Sequence, residues 1–142
     1  MQGLTVAGTL DALEAIARYI KAVADRAGLD RQTAYNLRLA VDEVTTNIIL
    51  HGYKEAGIEG QLHLCASIEA DSLTISVEDT GMTYNPQSMQ AKALHSVQQP
   101  PELRSIGGLG IFLAIASVDR FTYEQVNGFN RTILSVNIAS SQ

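Results

Sequence analysis

Leu37-Arg-Leu-Ala-Val-Asp-Glu-Val-Thr-Thr-Asn-Ile-Ile-Leu-His-Gly52 and, ten residues on, Leu62-His-Leu-Cys-Ala-Ser-Ile68 stand on either side of a change in hydrophobic period. In the first stretch Leu37, Val41, Val44 and Ile48 recur at three- and four-residue spacing, which is one apolar stripe along a helix. In the second, Leu62, Leu64, Ala66 and Ile68 alternate with His63, Cys65 and Ser67, the pattern of a strand with one buried face. Leu73, Ile75 and Val77 continue the alternation after Ala70-Asp71, so the two runs form a hairpin.

Working outward, Leu4 to Ala7 predict a short strand, and Thr9 or Asp11 is placed to cap a helix carrying Leu13, Ile16, Ala17, Ile20, Val23 and Ala24. That helix ends near Gly28, and Asp30 caps the next, which stops around His51-Gly52. At the other end Phe121 to Val126 and Phe129 to Ile138 flank Asn127-Gly128, a pair that tolerates the positive φ of a tight hairpin turn. A short helix is expected from about Gly110 to Ser117. The order strand, helix, helix, hairpin, loop, helix, hairpin predicts an α+β, two-layer sandwich. Its sheet is expected to be mixed and mostly antiparallel, covered by helices on one face, and not doubly wound.

The chain has 142 residues, with 10 Lys and Arg against 15 Asp and Glu. That length fits one domain, residues 1–142, and no repeat or linker divides it. The net charge of -5 argues against broad contact with nucleic acid, whose binding rests on neutralising phosphates, while leaving room for one bound nucleotide. A single thiol, Cys65, excludes an internal disulfide and a thiolate metal cluster, and reads as an inert strand residue in a reducing compartment. No segment approaches the roughly 20 apolar residues that span a bilayer. Asp11 and Glu14 interrupt the stretch where a signal peptide needs its apolar core, so a soluble cytoplasmic domain is expected.

Between Met82 and Ile106 lies a long polar stretch containing all three prolines, Pro86, Pro100 and Pro101. Connections of that length are lids, binding loops or plain insertions. The residues suited to chemistry flank it. Glu43 and Asn47 are four apart, hence on one helix face, and Glu43 stands among Val41, Val44, Ile48 and Ile49, where a carboxylate needs a partner. A solvated polar face is the plain alternative. Asp79-Thr80-Gly81 ends the hairpin directly before the loop. An aspartate there can accept a hydrogen bond from an amino group on a flat ligand, and Gly81 lets the backbone pass close to it; an ordinary turn is the alternative. On the far side, Gly107-Gly108-Leu109-Gly110 opens the short helix, where free backbone N–H groups suit a phosphate. This is not the lysine-containing phosphate loop, since Lys92 is the only lysine or arginine from Glu55 through Leu103. Phosphate charge would be met by backbone amides, a divalent cation and Arg104.

Together these features resemble the GHKL (Bergerat-fold) ATPase superfamily, and within it the bacterial anti-sigma factor serine kinases. The carriers are Leu37 to Asn47 with the trailing His51-Gly52-Tyr53, Asp79-Thr-Gly81-Met-Thr-Tyr84-Asn-Pro86, and Gly107-Gly-Leu-Gly110-Ile-Phe-Leu113. The closing hairpin with Thr132 also fits, so the likeness covers nearly the whole chain. The resemblance implies ATP and Mg2+ as cofactors, a lid at about 82–106, and Glu43 as the general base that prepares a serine hydroxyl. It implies that Asn47 holds Mg2+, that Asp79 reads the adenine amino group with help from Thr132, and that Gly81 makes room for the base. Gly107, Gly108, Leu109 and Gly110 would contact phosphates. His51 reads as a structural residue at the helix end. The implied partners are a sigma factor and an anti-sigma factor antagonist, with a homodimer, and without nucleic acid or membrane.

The second motif departs from the family's Asp-x-Gly-x-Gly-Phe-Asp-Pro: Thr83 replaces the second glycine, Tyr84 the phenylalanine and Asn85 the aspartate. Tyr84 keeps an aromatic ring, whereas Thr83 restricts the backbone at the root of the lid. Two functions therefore stand side by side. One is an anti-sigma factor with ATP-dependent serine kinase activity toward the antagonist, favoured by Glu43. The other is a non-catalytic nucleotide-binding module that sequesters a partner, favoured by Thr83.

Overall fold

The computed structural model describes residues 2–82 and 114–138. Strand β1 (Leu4–Ala7) leads through a 3-10 turn (Leu10–Ala12) into helix α1 (Leu13–Ala27), and helix α2 (Arg31–Asn47) runs on into a π-helical segment (Ile48–Lys54). Strands β2 (Gln61–Ile68) and β3 (Ser72–Asp79) make the first hairpin, and β4 (Arg120–Val126) and β5 (Phe129–Asn137) the second. Of the short helix expected from Gly110, residues 114–116 are helical and the part before them lies outside the described residues.

The strands form one sheet in the order β1-β2-β3-β5-β4. Every ladder among the described residues is antiparallel, so the parallel component of the expected mixed sheet is not found there. Both turn residues of the second hairpin have positive φ, 52° at Asn127 and 83° at Gly128. That backbone twist matches the twist of the strands and fixes the register of β4 on β5.

Alternation decides which face is covered. Leu62, Leu64, Leu73, Ile75, Val77, Leu134 and Val136 point one way and are buried against Ile16, Ile20 and Val23 of α1 and Leu37, Val41 and Val44 of α2. His63, Ser67, Thr74, Ser76, Glu78 and Arg131 alternate with them, so they lie on the other face.

Two helix boundaries differ from the sequence reading. Thr9 stands before the 3-10 turn without a capping hydrogen bond from its side chain, and α1 starts only at Leu13, because one extra turn intervenes. Asp30 does cap α2, its Oδ1 accepting the Thr33 N–H at 2.8 Å. At the other end α2 does not stop at His51-Gly52. It widens, with Glu55 N–H reaching Leu50 C=O at 2.9 Å and Ile58 N–H reaching Tyr53 C=O at 3.0 Å, both five residues back. The widened turn buries Ile48, Ile49, Gly52 and Tyr53 together.

Candidate functional site

Rung by rung along the covered face of β3 and β5, polarity changes toward one end. Leu73 faces Val136, Ile75 faces Leu134, Val77 faces Thr132 and Asp79 faces Asn130. The apolar layer thus gives way to three polar side chains that remain buried, with Asp79 at 4%, Asn130 at 5% and Thr132 at 0% exposure. Buried polar groups are costly without partners, so the partners each one has, and lacks, define what the site can hold.

Asp79 Oδ1 accepts two bonds, from Gly81 N–H at 2.9 Å and from Asn130 Nδ2 at 3.0 Å. Asn130 Nδ2 also donates to Gly81 C=O at 3.0 Å, while Asn130 Oδ1 accepts the Tyr123 hydroxyl at 3.0 Å. Among the described residues Asp79 Oδ2 accepts nothing. Burial pushes the Asp79 carboxyl above the usual aspartate range, opposed by the bonds from Asn130 and Gly81. The Thr132 hydroxyl, one rung away, is buried and has no partner among the described residues. A carboxylate oxygen and an orphaned hydroxyl on one buried face fit a ligand edge that carries both donor and acceptor groups.

On α2, Asn47 is 5% exposed and donates through Nδ2 to the Glu43 backbone carbonyl at 2.9 Å. A carbonyl only accepts, so the amide nitrogen must face it, and among the described residues Oδ1 is left to accept from a ligand or to bind a cation. Glu43 is half-buried, and its carboxyl lies above the usual range, chiefly through burial and secondly through the like charge of Asp42. A carboxyl raised in this way is a better proton acceptor near neutral pH than a solvated one.

The end of the α2 segment is tied to the end of β3. Met82 N–H donates to Gly52 C=O at 2.7 Å, and a Cβ at Gly81 would lie 2.7 Å from that carbonyl oxygen, so only glycine lets the two backbones meet. The close approach that Gly81 permits in the described structure is therefore to Gly52. Tyr53 adds a second tie: its buried hydroxyl donates to Gln61 C=O at 2.6 Å and accepts Thr80 N–H at 3.0 Å.

Asp79, Gly81 and Thr132 thus come together at one end of β3 and β5, and Glu43 and Asn47 lie one helical turn apart on α2. Arg104, Gly107, Gly108, Leu109 and Gly110, with the lid at about 82–106 beyond Met82, lie outside the described residues. His51 pairs with Glu55 at 2.8 Å, a contact within the helix end. The cleft of about 310 Å³ between α1 and α2, lined by residues such as Leu13, Ile20, Tyr35 and Arg38, contains none of the expected site residues. Asn130 and Tyr123 were not expected from the sequence. The available signal was register, since a hairpin turning at Asn127-Gly128 places Asn130 two residues before Thr132 on the same face.

The chain belongs to the family of histidine kinase-like ATPase domains, which matches residues 6–136. It is 31% identical over 98 residues to a serine-protein kinase RsbW of Bacillus mycoides, and 29% identical over 101 residues to one of Listeria monocytogenes. The matches take in 68% and 70% of this chain but 60% and 64% of those proteins. Among solved structures, the histidine kinase domain of a blue-light activated histidine kinase from Erythrobacter litoralis EL346 superposes with a TM-score of 0.53 at 16% identity, over 89% of this chain and 61% of that one. A chain of the SiaB-SiaC complex from Pseudomonas aeruginosa gives 0.53 at 14% identity, over 95% and 89%. These two likenesses establish the shared fold.

Proposed function

We propose that this protein binds ATP at the polar end of the covered sheet face and acts as a protein serine kinase on an anti-sigma factor antagonist, sequestering a sigma factor in a partner-switching pathway. The observation that carries the reading is that, among the described residues, Asp79 Oδ2 and the buried Thr132 hydroxyl are both without a partner where the apolar sheet face gives way to polar side chains. Membership of the ATPase family and the similarity to proteins named serine-protein kinase support it.

In this reading Asp79 accepts from the adenine amino group and Thr132 completes the base edge. Asn47 offers Oδ1 to Mg2+. Among the described residues no group of three or more His, Cys, Asp or Glu is arranged to hold a metal. Bound ATP with Mg2+ supplies the γ-phosphoryl group and neutralises its charge. Glu43 takes the proton of the incoming serine hydroxyl, for which its raised basicity is suited. Arg104, Gly107, Gly108, Leu109 and Gly110 are proposed as phosphate contacts. A homodimer and a cytoplasmic location belong to the same proposal; no helix among the described residues is long and apolar enough to cross a membrane.

Thr83 favours a second reading, a nucleotide-binding module that sequesters its partner without phosphoryl transfer. Labelled ATP, Mg2+ and a panel of antagonist proteins, with wild type beside Glu43→Ala, separate the two. Transfer to serine by wild type and its loss in the variant is the expected result. ATP binding without transfer to any antagonist favours the module.

A further inference from the structure

We propose that Asn130 is a positioning residue that sets the purine selectivity of this site, by holding Asp79 with one chosen oxygen turned toward the base. The inference rests on the nucleotide reading above and concerns what makes that site select adenine. Asn130 bridges Asp79 Oδ1 and Gly81 C=O with one amide nitrogen, both at 3.0 Å. Both of those atoms are acceptors, so only the NH2 side of the amide can face them, and the Tyr123 hydroxyl at 3.0 Å holds the opposite side. With Gly81 N–H also on Oδ1, two bonds fix the carboxyl group, and among the described residues Oδ2 is the oxygen left to meet a ligand.

The charge state of that oxygen decides which base it accepts. An ionised carboxylate only accepts, so it matches the amino group of adenine and opposes the O6 carbonyl of guanine. A protonated one donates and loses that distinction. Burial favours the protonated form, and the Asn130 bond is foremost among the contacts that oppose it.

Burial and the Asn130 and Gly81 bonds account for the Asp79 shift, with no described charged group among its causes. Leu62 of β2 stands opposite Asp79 on one side, and Gly52 and Tyr53 of the π-helical segment pack at the strand end. Asn130 and Tyr123 come from β5 and β4. The neighbouring Glu78 and Arg131 occupy the opposite face and pair with each other at 3.7 Å.

The test is the affinity for Mg-ATP and Mg-GTP, by competition with a fluorescent ATP analogue from about pH 8 to about pH 5.5, a window chosen above the ordinary carboxylate range. Wild type is expected to hold a constant preference for ATP. Asn130→Leu is expected to weaken ATP about tenfold, the scale of one lost hydrogen bond to a charged group, and to lose its preference for ATP progressively as pH falls. Tyr123→Phe removes the outer bond to Asn130 and is expected to shift the same profile in the same direction by less. Should Asn130→Leu fail to fold by circular dichroism, Tyr123→Phe decides. Wild-type selectivity at every pH in the folded variants overturns the proposal while leaving the nucleotide site intact. Failure of wild type to bind either nucleotide overturns the site reading and this proposal with it.

Discussion

At the scale of single residues, Asp79 is a group the fold tolerates rather than needs. Its folded-state pKa lies above the unfolded one, so ionising it in place costs stability. That cost is absent below the ordinary aspartate pKa, grows as pH rises through the folded value, and persists at neutral pH. Asp79→Asn keeps an Oδ1 that accepts from Gly81 and Asn130 but turns the ligand-facing oxygen into a donor. Equal or higher thermal stability at pH 7 is expected, with the difference vanishing in acid. ATP should bind more weakly by about 1–3 kcal/mol, the cost of an unsatisfied polar contact, or roughly five- to 150-fold by titration calorimetry. Lower stability together with unchanged ATP binding would reverse both roles. Glu43 gives a second test. In the proposed role as base, its raised pKa means that the deprotonated form is lost as pH falls through a value above the usual glutamate range. The transfer rate should follow that titration in wild type. Glu43→Gln should lower the rate about 10²- to 10⁴-fold, the usual contribution of a general base, and flatten the acid limb.

At the scale of elements, the π-helical segment does what a regular helix end would not: it buries Gly52 and Tyr53 side by side and lays one against Gly81 and the other across β2 and β3. Tyr53→Phe would leave Gln61 C=O and Thr80 N–H without this partner. A loss of about 1–3 kcal/mol is expected, seen as a lower melting temperature and as faster exchange of the Thr80 amide. Unchanged protection at Thr80 would show that the strand end is held by something else. The widened turn was not legible beforehand, because a π turn preserves the apolar spacing of Val44, Ile48 and Ile49 and alters only the backbone hydrogen bonds. The hairpins were legible because period-two alternation and Asn127-Gly128 act locally. Asp79 was singled out from its place at a strand end before the loop, and Thr132 through the resemblance. Asn130 was not, since its role depends on standing opposite Asp79, and that pairing is fixed only when β5 returns beside β3.

At the scale of the whole molecule, a chain of net charge -5 must distinguish one triphosphate from a polyanion. Long nucleic acids are held by many cations spread over a surface, and their affinity falls steeply with salt. The proposed pocket instead recognises a base through Asp79 and Thr132 and leaves the phosphates to Mg2+, Arg104 and glycine amides, a set that a negative chain can assemble locally. Mass action turns this difference into a measurement: a ligand that binds only the folded state stabilises it by about 2.7 kcal/mol at a hundred times its Kd. For a domain of this size that is a rise of roughly 5–10 °C in melting temperature. Mg-ATP should produce such a rise in wild type and much less in Asp79→Asn, whereas duplex DNA at equal phosphate concentration should produce none. A shift with DNA that disappears at high salt would place the phosphate-binding surface elsewhere on the molecule. A shift with Mg-ATP that survives Asp79→Asn would mean that the phosphates, and not the base, carry the recognition.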